Sequence, residues 1–170
     1  HTIPNINDIQ HIATQPGIIH TTESFQGILL KGVDSTYNWD FFSHNLIEGE
    51  LLNTKNSSII SSTIARTMGL KVGDSFTVYI ITDQLRARKF TVAGIYQTTF
   101  SDYDKLYIIT NASTIQQLKQ WTNNQFSSIE ILVNNYDILN QTNSKIFDKI
   151  IEYSHNTDLL YRAETIESLT

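Results

Sequence analysis

The chain has 170 residues, 17 of them Asp or Glu and 12 Lys or Arg, giving a formal net charge of -5, and it contains no cysteine. A chain of this length buries roughly two thirds of the surface its unfolded form exposes, enough for one domain or two small lobes without covalent staples. The acid excess argues against general nucleic-acid binding, which needs clustered Lys and Arg to neutralise phosphates, and the lack of cysteine removes disulfides, thiolate catalysis and cysteine-ligated zinc or iron-sulfur sites.

In chain order, Asn5 or Asn7 can cap a helix carrying Ile6, Ile9 and Ile12, which Pro16-Gly17 stops. Two strands follow, around residues 18–22 and 25–33. Ser61 or Ser62 is placed as an N-cap for a helix whose Ile64, Ala65 and Met68 share one face, and Gly69 supplies the left-handed residue that ends it. Leu70 is placed to pack back on the last turn. Val72-Gly73-Asp74 reads as a turn, after which Phe76, Val78 and Ile80 alternate with Ser75, Thr77 and Tyr79 as a strand with one buried face. Phe90, Val92, Gly94 and Tyr96 alternate in the same way, and with only Asp83, Gln84 and Leu85 as loop the two strands should form an antiparallel hairpin.

Further along, residues 112–121 read as a helix and residues 127–133 as a strand in which Ile129, Ile131 and Val133 alternate with Ser128, Glu130 and Leu132. Asp137 then caps the longest helix, with an apolar stripe of Leu139, Ile146, Phe147, Ile150 and Ile151, and residues 159–163 read as a last strand. No run approaches the roughly 20 apolar residues that span a bilayer, and no charged-then-apolar leader opens the chain.

Four segments carry a resemblance: Gly49-Glu50-Leu51, the stretch from Ser58 through Gly69 to Asp74, Phe90-Thr91-Val92-Ala93-Gly94-Ile95-Tyr96, and Tyr103-Asp104-Lys105-Leu106-Tyr107-Ile108. Their order resembles the extracytoplasmic domain of ABC-transporter permeases of the lipoprotein-releasing type (LolC/LolE) in the FtsX-like permease family, known as the MacB-like periplasmic core domain. Gly32-Val33-Asp34 and Thr165-Ile166-Glu167 match shorter elements of the same family, the second with isoleucine where tryptophan is common. The resemblance implies an α+β fold: a porter-like, membrane-proximal α/β lobe from residues 1–33 and 111–170, with an inserted lobe rich in antiparallel strands at 34–110. It follows that residues 127–133 and 76–80 should lie in different sheets. The resemblance also implies a domain cut at two membrane boundaries, His1 being a cloning remnant, on the periplasmic side of a bacterial inner membrane. Its partners would be a second permease subunit, in a homo- or heterodimer, a cytoplasmic ATPase subunit, and a periplasmic lipoprotein or carrier. The other readings are a free-standing extracytoplasmic module that binds glycan or peptide and, more remotely, an Asp- or His-dependent hydrolase.

The residues themselves offer little chemistry. His1, His11, His20, His44 and His155 show neither an i, i+4 pair nor a His-Glu-x-x-His arrangement. Asp102 and Asp104 flank Tyr103, but they read as a solvated turn entering a strand at 106–109 rather than as paired acid and base. There is no Gly-x-Ser-x-Gly elbow and no Gly-rich phosphate loop, so no catalytic, cofactor-binding or metal-ligating residue is assigned. The one local charge cluster is Arg86, Arg88 and Lys89 at the start of the second hairpin strand, with Arg86 and Arg88 on one side. It reads either as charge on an edge strand that discourages sheet-to-sheet pairing or as a contact for a soluble carrier or an anionic headgroup. In the family, one permease type carries a long insertion here that hooks the lipoprotein carrier. The connection in this chain is too short to match it.

Overall fold

The computed structural model describes residues 6–133. Twelve elements follow one another: β1 (Ile6–His20), β2 (Phe25–Val33), α1 (Asp40–Asn45), β3 (Leu46–Gly49), β4 (Ser57–Ser61), α2 (Ser62–Met68), β5 (Ser75–Ile81), β6 (Leu85–Tyr96), α3 (Ser101–Leu106), β7 (Tyr107–Asn111), α4 (Ala112–Lys119) and β8 (Ser128–Val133). The sheet is mixed, parallel where β2 meets β7 and β4 meets β6 and antiparallel in the other described ladders, so the α+β class holds.

The expected first helix is instead the long strand β1. Its register with β2 runs from Ile12 opposite Val33 to His20 opposite Phe25, and Ile12, Ala13, Gln15 and Ile19 are buried. Isoleucines at 6, 9, 12, 18 and 19 suit a pleated surface, and a partner strand decides between the two periodicities. Pro16 does not interrupt this ladder. The Ile12 carbonyl and the Thr14 amide bond to Ser127, so the even residues of β1 turn their backbone groups away from β2, and the amide hydrogen that Pro16 lacks would point the same way. The side chain of Gln15 covers the Pro16 carbonyl.

The capping expectations at α2 hold residue by residue. The Ser61 hydroxyl accepts from the Ile64 amide at 3.1 Å, Gly69 sits at φ +66, and the Leu70 amide closes on the Ala65 carbonyl at 2.9 Å. Ile64, Ala65 and Met68 are buried together against Phe76, Val78, Ile80, Phe90 and Val92, the inward residues of β5 and β6. Ile115 and Leu118 of α4 join the same core. Tyr96 and Phe90 are buried as alternation predicts, but so are Ala93 and Ile95, because the second half of β6 is flanked by β4 on one side and by β3 on the other.

A close approach explains two of the glycines in the sequence signature. Gly49 of β3 stands opposite Gly94 of β6, and Gly49 has φ +75. A Cβ on Gly94 would lie 2.2 Å from the Glu50 carbonyl oxygen, and one on Gly49 would lie 2.3 Å from the Ala93 carbonyl oxygen. Only residues without a side chain let these backbones meet.

The chain divides into two compact units, Gln10–Ile129 and a second of His1–Ile9 with Glu130–Thr170. Within the larger unit the pairings β1–β2–β7–β4–β6–β5–β1 close on themselves, with β4 and β7 joined only at Ile59 opposite Ile109. β8 follows β1 in the strand order of the same sheet. The expected separation of residues 127–133 from residues 76–80 into different sheets therefore does not hold. The physical reason is the length of β1, 15 residues, which lets one strand pair in several places. The expected helix capped by Asp137 and the strand at 159–163 lie outside the described residues.

Candidate functional site

The basic hairpin is built by β5 and β6, with Ile81 opposite Leu85 and residues 82–84 as the connection. The connection is short as expected, but Leu85, read as loop, is the first residue of β6, because it pairs with Ile81 across the hairpin. Arg88 stands opposite Val78 and Arg86 opposite Ile80, and directly opposed residues project to one face. Arg86 and Arg88 thus share the face of the buried Val78 and Ile80 and are half-buried at its margin, whereas Leu85, Ala87 and Lys89 are exposed on the other face. Leu85 is 68% exposed, an apolar side chain beside three cations. The Arg88 guanidinium folds back to donate to the Ala87 carbonyl at 3.2 Å.

The backbone of this segment is oriented by its neighbours. The Thr91 amide donates to the Asn56 carbonyl, and the Thr91 carbonyl accepts from Ser58 Oγ, so Thr91 faces β4. By alternation Arg86, Arg88 and Phe90 bond to β5, while Leu85, Ala87 and Lys89 direct their amides and carbonyls to the opposite edge. The β4 ladder begins only at Thr91, and no strand among the described residues pairs with β6 over residues 85–90.

A second cluster was not assigned from the sequence. Lys31 of β2 is 4% exposed, and its Nζ lies 5.7, 5.7 and 5.6 Å from the ring centres of Tyr37, Phe42 and Tyr103 and donates to the Tyr103 hydroxyl at 3.1 Å. An ammonium over several aromatic faces gains electrostatic attraction from each, which offsets part of its desolvation. Phe41, Phe42, Tyr96, Tyr103 and Tyr107 continue the aromatic packing. The signal was a lysine inside the apolar run of residues 28–33, with aromatic residues supplied from distant segments.

Asp102 and Asp104 are also placed differently from expectation. The turn is α3, in which Asp102 is exposed and Asp104 buried. The Asp104 carboxylate accepts from the Thr98 amide at 3.0 Å and from Thr98 Oγ1 at 2.6 Å, and its carbonyl accepts from Ser61 Oγ. These bonds tie α3 to the N-cap of α2 and leave Asp104 in a structural task. Among the described residues no group of three or more His, Asp or Glu is arranged to hold a metal ion, and no helix is long and apolar enough to cross a membrane.

Tyr96, fully buried, donates to the Tyr107 carbonyl at 2.6 Å. Burial holds its phenol well above the ordinary value of 10.0, with further push from Tyr103, Asp104 and Tyr107. Above pH 10.0 the unfolded chain ionises at this residue while the folded chain does not, so the stability it contributes is complete below that pH and is lost as pH rises beyond it. Tyr96→Phe should therefore cost about 1 kcal/mol at pH 7 through the lost hydrogen bond. Its urea midpoint should then fall less steeply than that of the wild type when unfolding is repeated above pH 10.

No protein-family model matches the chain. No curated protein matches it either. Solved structures do. The extracellular domain of the noncanonic ABC-type transporter YknZ from Gram-positive bacteria superposes with a TM-score of 0.60 at 14% identity, covering 96% of this chain and 84% of that one. The periplasmic region of MacB from Actinobacillus actinomycetemcomitans gives a TM-score of 0.55 at 15% identity, covering 92% of this chain and 78% of that one. At these identities the likeness is one of fold.

Proposed function

We propose that the chain is the extracytoplasmic domain of an ABC-transporter permease of the lipoprotein-releasing or a related efflux type, standing on the outer side of a bacterial inner membrane. It is non-catalytic: a separate ATPase subunit hydrolyses ATP in the cytoplasm, and this domain, paired with that of a second permease subunit, converts the motion into expulsion of a lipoprotein or another amphiphilic substrate. The observation that carries the reading is the fold likeness to the YknZ extracellular domain over nearly the whole chain. The order of the Gly49, Gly69 and Gly94 segments supports the reading, each glycine now having a backbone reason.

Arg86, Arg88 and Lys89 are the partner contact in this reading. Replacing Arg86 and Arg88 together by alanine should leave folding nearly intact, within about 0.5 kcal/mol for each surface change, because Phe90 and Val92 anchor the strand in the core. With a connection of residues 82–84 only, the hairpin does not wrap a carrier. Titration of the isolated domain with a periplasmic lipoprotein carrier should give weak binding at low salt that fades at moderate salt and in the double variant. Tight, salt-insensitive binding that survives the substitution would contradict the charge role.

A further inference from the structure

Among the described residues, the circuit of strand pairings has an open stretch where its cations cluster. Over residues 85–90, β6 has β5 on one side and no partner strand on the other among the described residues. The groups facing that open side are the amides and carbonyls of Leu85, Ala87 and Lys89, and one of them, the Ala87 carbonyl, is covered by the chain's own Arg88 guanidinium. Unpaired strand edges pair readily with other extended chains, through main-chain hydrogen bonds that supply affinity and alternate side-chain positions that supply selectivity. A guanidinium laid over an edge carbonyl occupies it until a stronger acceptor, such as a carboxylate, draws the side chain away.

We propose that the edge of β6 at Leu85, Ala87 and Lys89 takes up an acidic, extended segment of a partner protein as an added strand. The two faces specify its pattern. Residues of the added strand on the face of Arg86 and Arg88 would be Asp or Glu, and those on the opposite face, beside the exposed Leu85 and Ala87, would be apolar. A second copy of this edge is disfavoured as the occupant, because antiparallel self-pairing about Ala87 would set Arg86 directly opposite Arg88 in both halves of the pair. The inference rests on the reading of these three residues as a partner contact and adds the mode of contact. It does not depend on the transporter assignment.

The test uses the whole chain with an acetylated, amidated hexapeptide of alternating glutamate and valine, followed by amide hydrogen exchange and amide chemical shifts. Exchange at Leu85, Ala87 and Lys89 should slow several-fold on addition of peptide, while the amides of Arg86 and Arg88, already bonded to β5, should keep their rates. The lysine-valine counterpart should not bind, and neither should the glutamate-valine peptide N-methylated on its valines, the residues set opposite Leu85, Ala87 and Lys89 in an antiparallel addition. Ala87→Pro removes an edge amide without touching the β5 ladder and should weaken binding at least about tenfold. Should that variant fail to fold, the N-methylated peptide poses the same question from the ligand side. Equal binding of the N-methylated peptide without protection of the three amides would overturn strand addition and leave a charge contact. Absence of any salt-sensitive binding by the acidic peptide would overturn both.

Discussion

Replacing Gly94 by alanine is expected to destabilise the domain by about 3 kcal/mol or more, a large share of the roughly 5–15 kcal/mol that holds a domain of this size together. The added Cβ would meet the Glu50 carbonyl oxygen at 2.2 Å and the Leu46 side chain at 2.9 Å. The first of these is backbone, tied by the Glu50 amide to the Ala93 carbonyl at 2.9 Å, so it has no rotamer to escape into. Either β3 detaches from β6 or the β4–β6 ladder, already irregular between Ser58 and Ile59, is displaced. Gly27→Ala is the control, since nothing lies within 4 Å of a Cβ there, and it should be neutral or slightly stabilising. Urea unfolding of both variants gives the comparison, and equal midpoints would show that the close approach of β3 to β6 contributes nothing.

Phe42→Ala is expected to cost about 3–5 kcal/mol, the usual range for deleting a buried aromatic ring. Phe42 is fully buried, and its ring lies 5.2 Å from those of both Phe41 and Tyr96, 6.2 Å from Trp39, 6.3 Å from Tyr37 and 6.5 Å from Tyr103. It also forms one wall around the Lys31 ammonium. Deleting it leaves a void beside a buried cation, so the transfer cost is joined by weaker support for the charge. Phe41→Ala, at a half-buried position, should cost distinctly less. A loss below about 1 kcal/mol for Phe42→Ala would mean that the aromatic cluster rearranges freely and does not hold α1 against the sheet.

What the sequence made legible were the elements whose local signals and tertiary partners agree. The N-cap at Ser61, the left-handed Gly69 and the alternation of Phe76, Val78 and Ile80 each act within a few residues, and each appears as read. At the start of the chain Ile6, Ile9 and Ile12 fit a helical spacing, while the pairing with β2 that decides for a strand comes from residues 25–33. β4 carries no local strand signal, because Ser57, Ser58 and Ser61 look like loop residues. They are buried, their hydroxyls bonded to the Thr54, Thr91 and Asp104 carbonyls, which no local pattern foretells. The candidate contact was legible as charge, in Arg86, Arg88 and Lys89. Its backbone edge was not, because the orientation of Leu85, Ala87 and Lys89 follows from the hydrogen bonds of Thr91 to another strand.

The central claim, that this domain moves with an ATPase cycle on the other side of a membrane, is tested most directly by distance measurement in the intact transporter. The 170 residues contain no cysteine, so in a transporter cleared of cysteines elsewhere, Thr22→Cys at an exposed position of the β1–β2 turn, with a matching cysteine on the paired domain, places one spin label on each of the two. Pulsed electron spin resonance on the assembled complex, nucleotide-free and then trapped with ATP, should show the distance distribution between the two labels shift as a whole. The same distribution in both states, in a complex that hydrolyses ATP, would contradict the account.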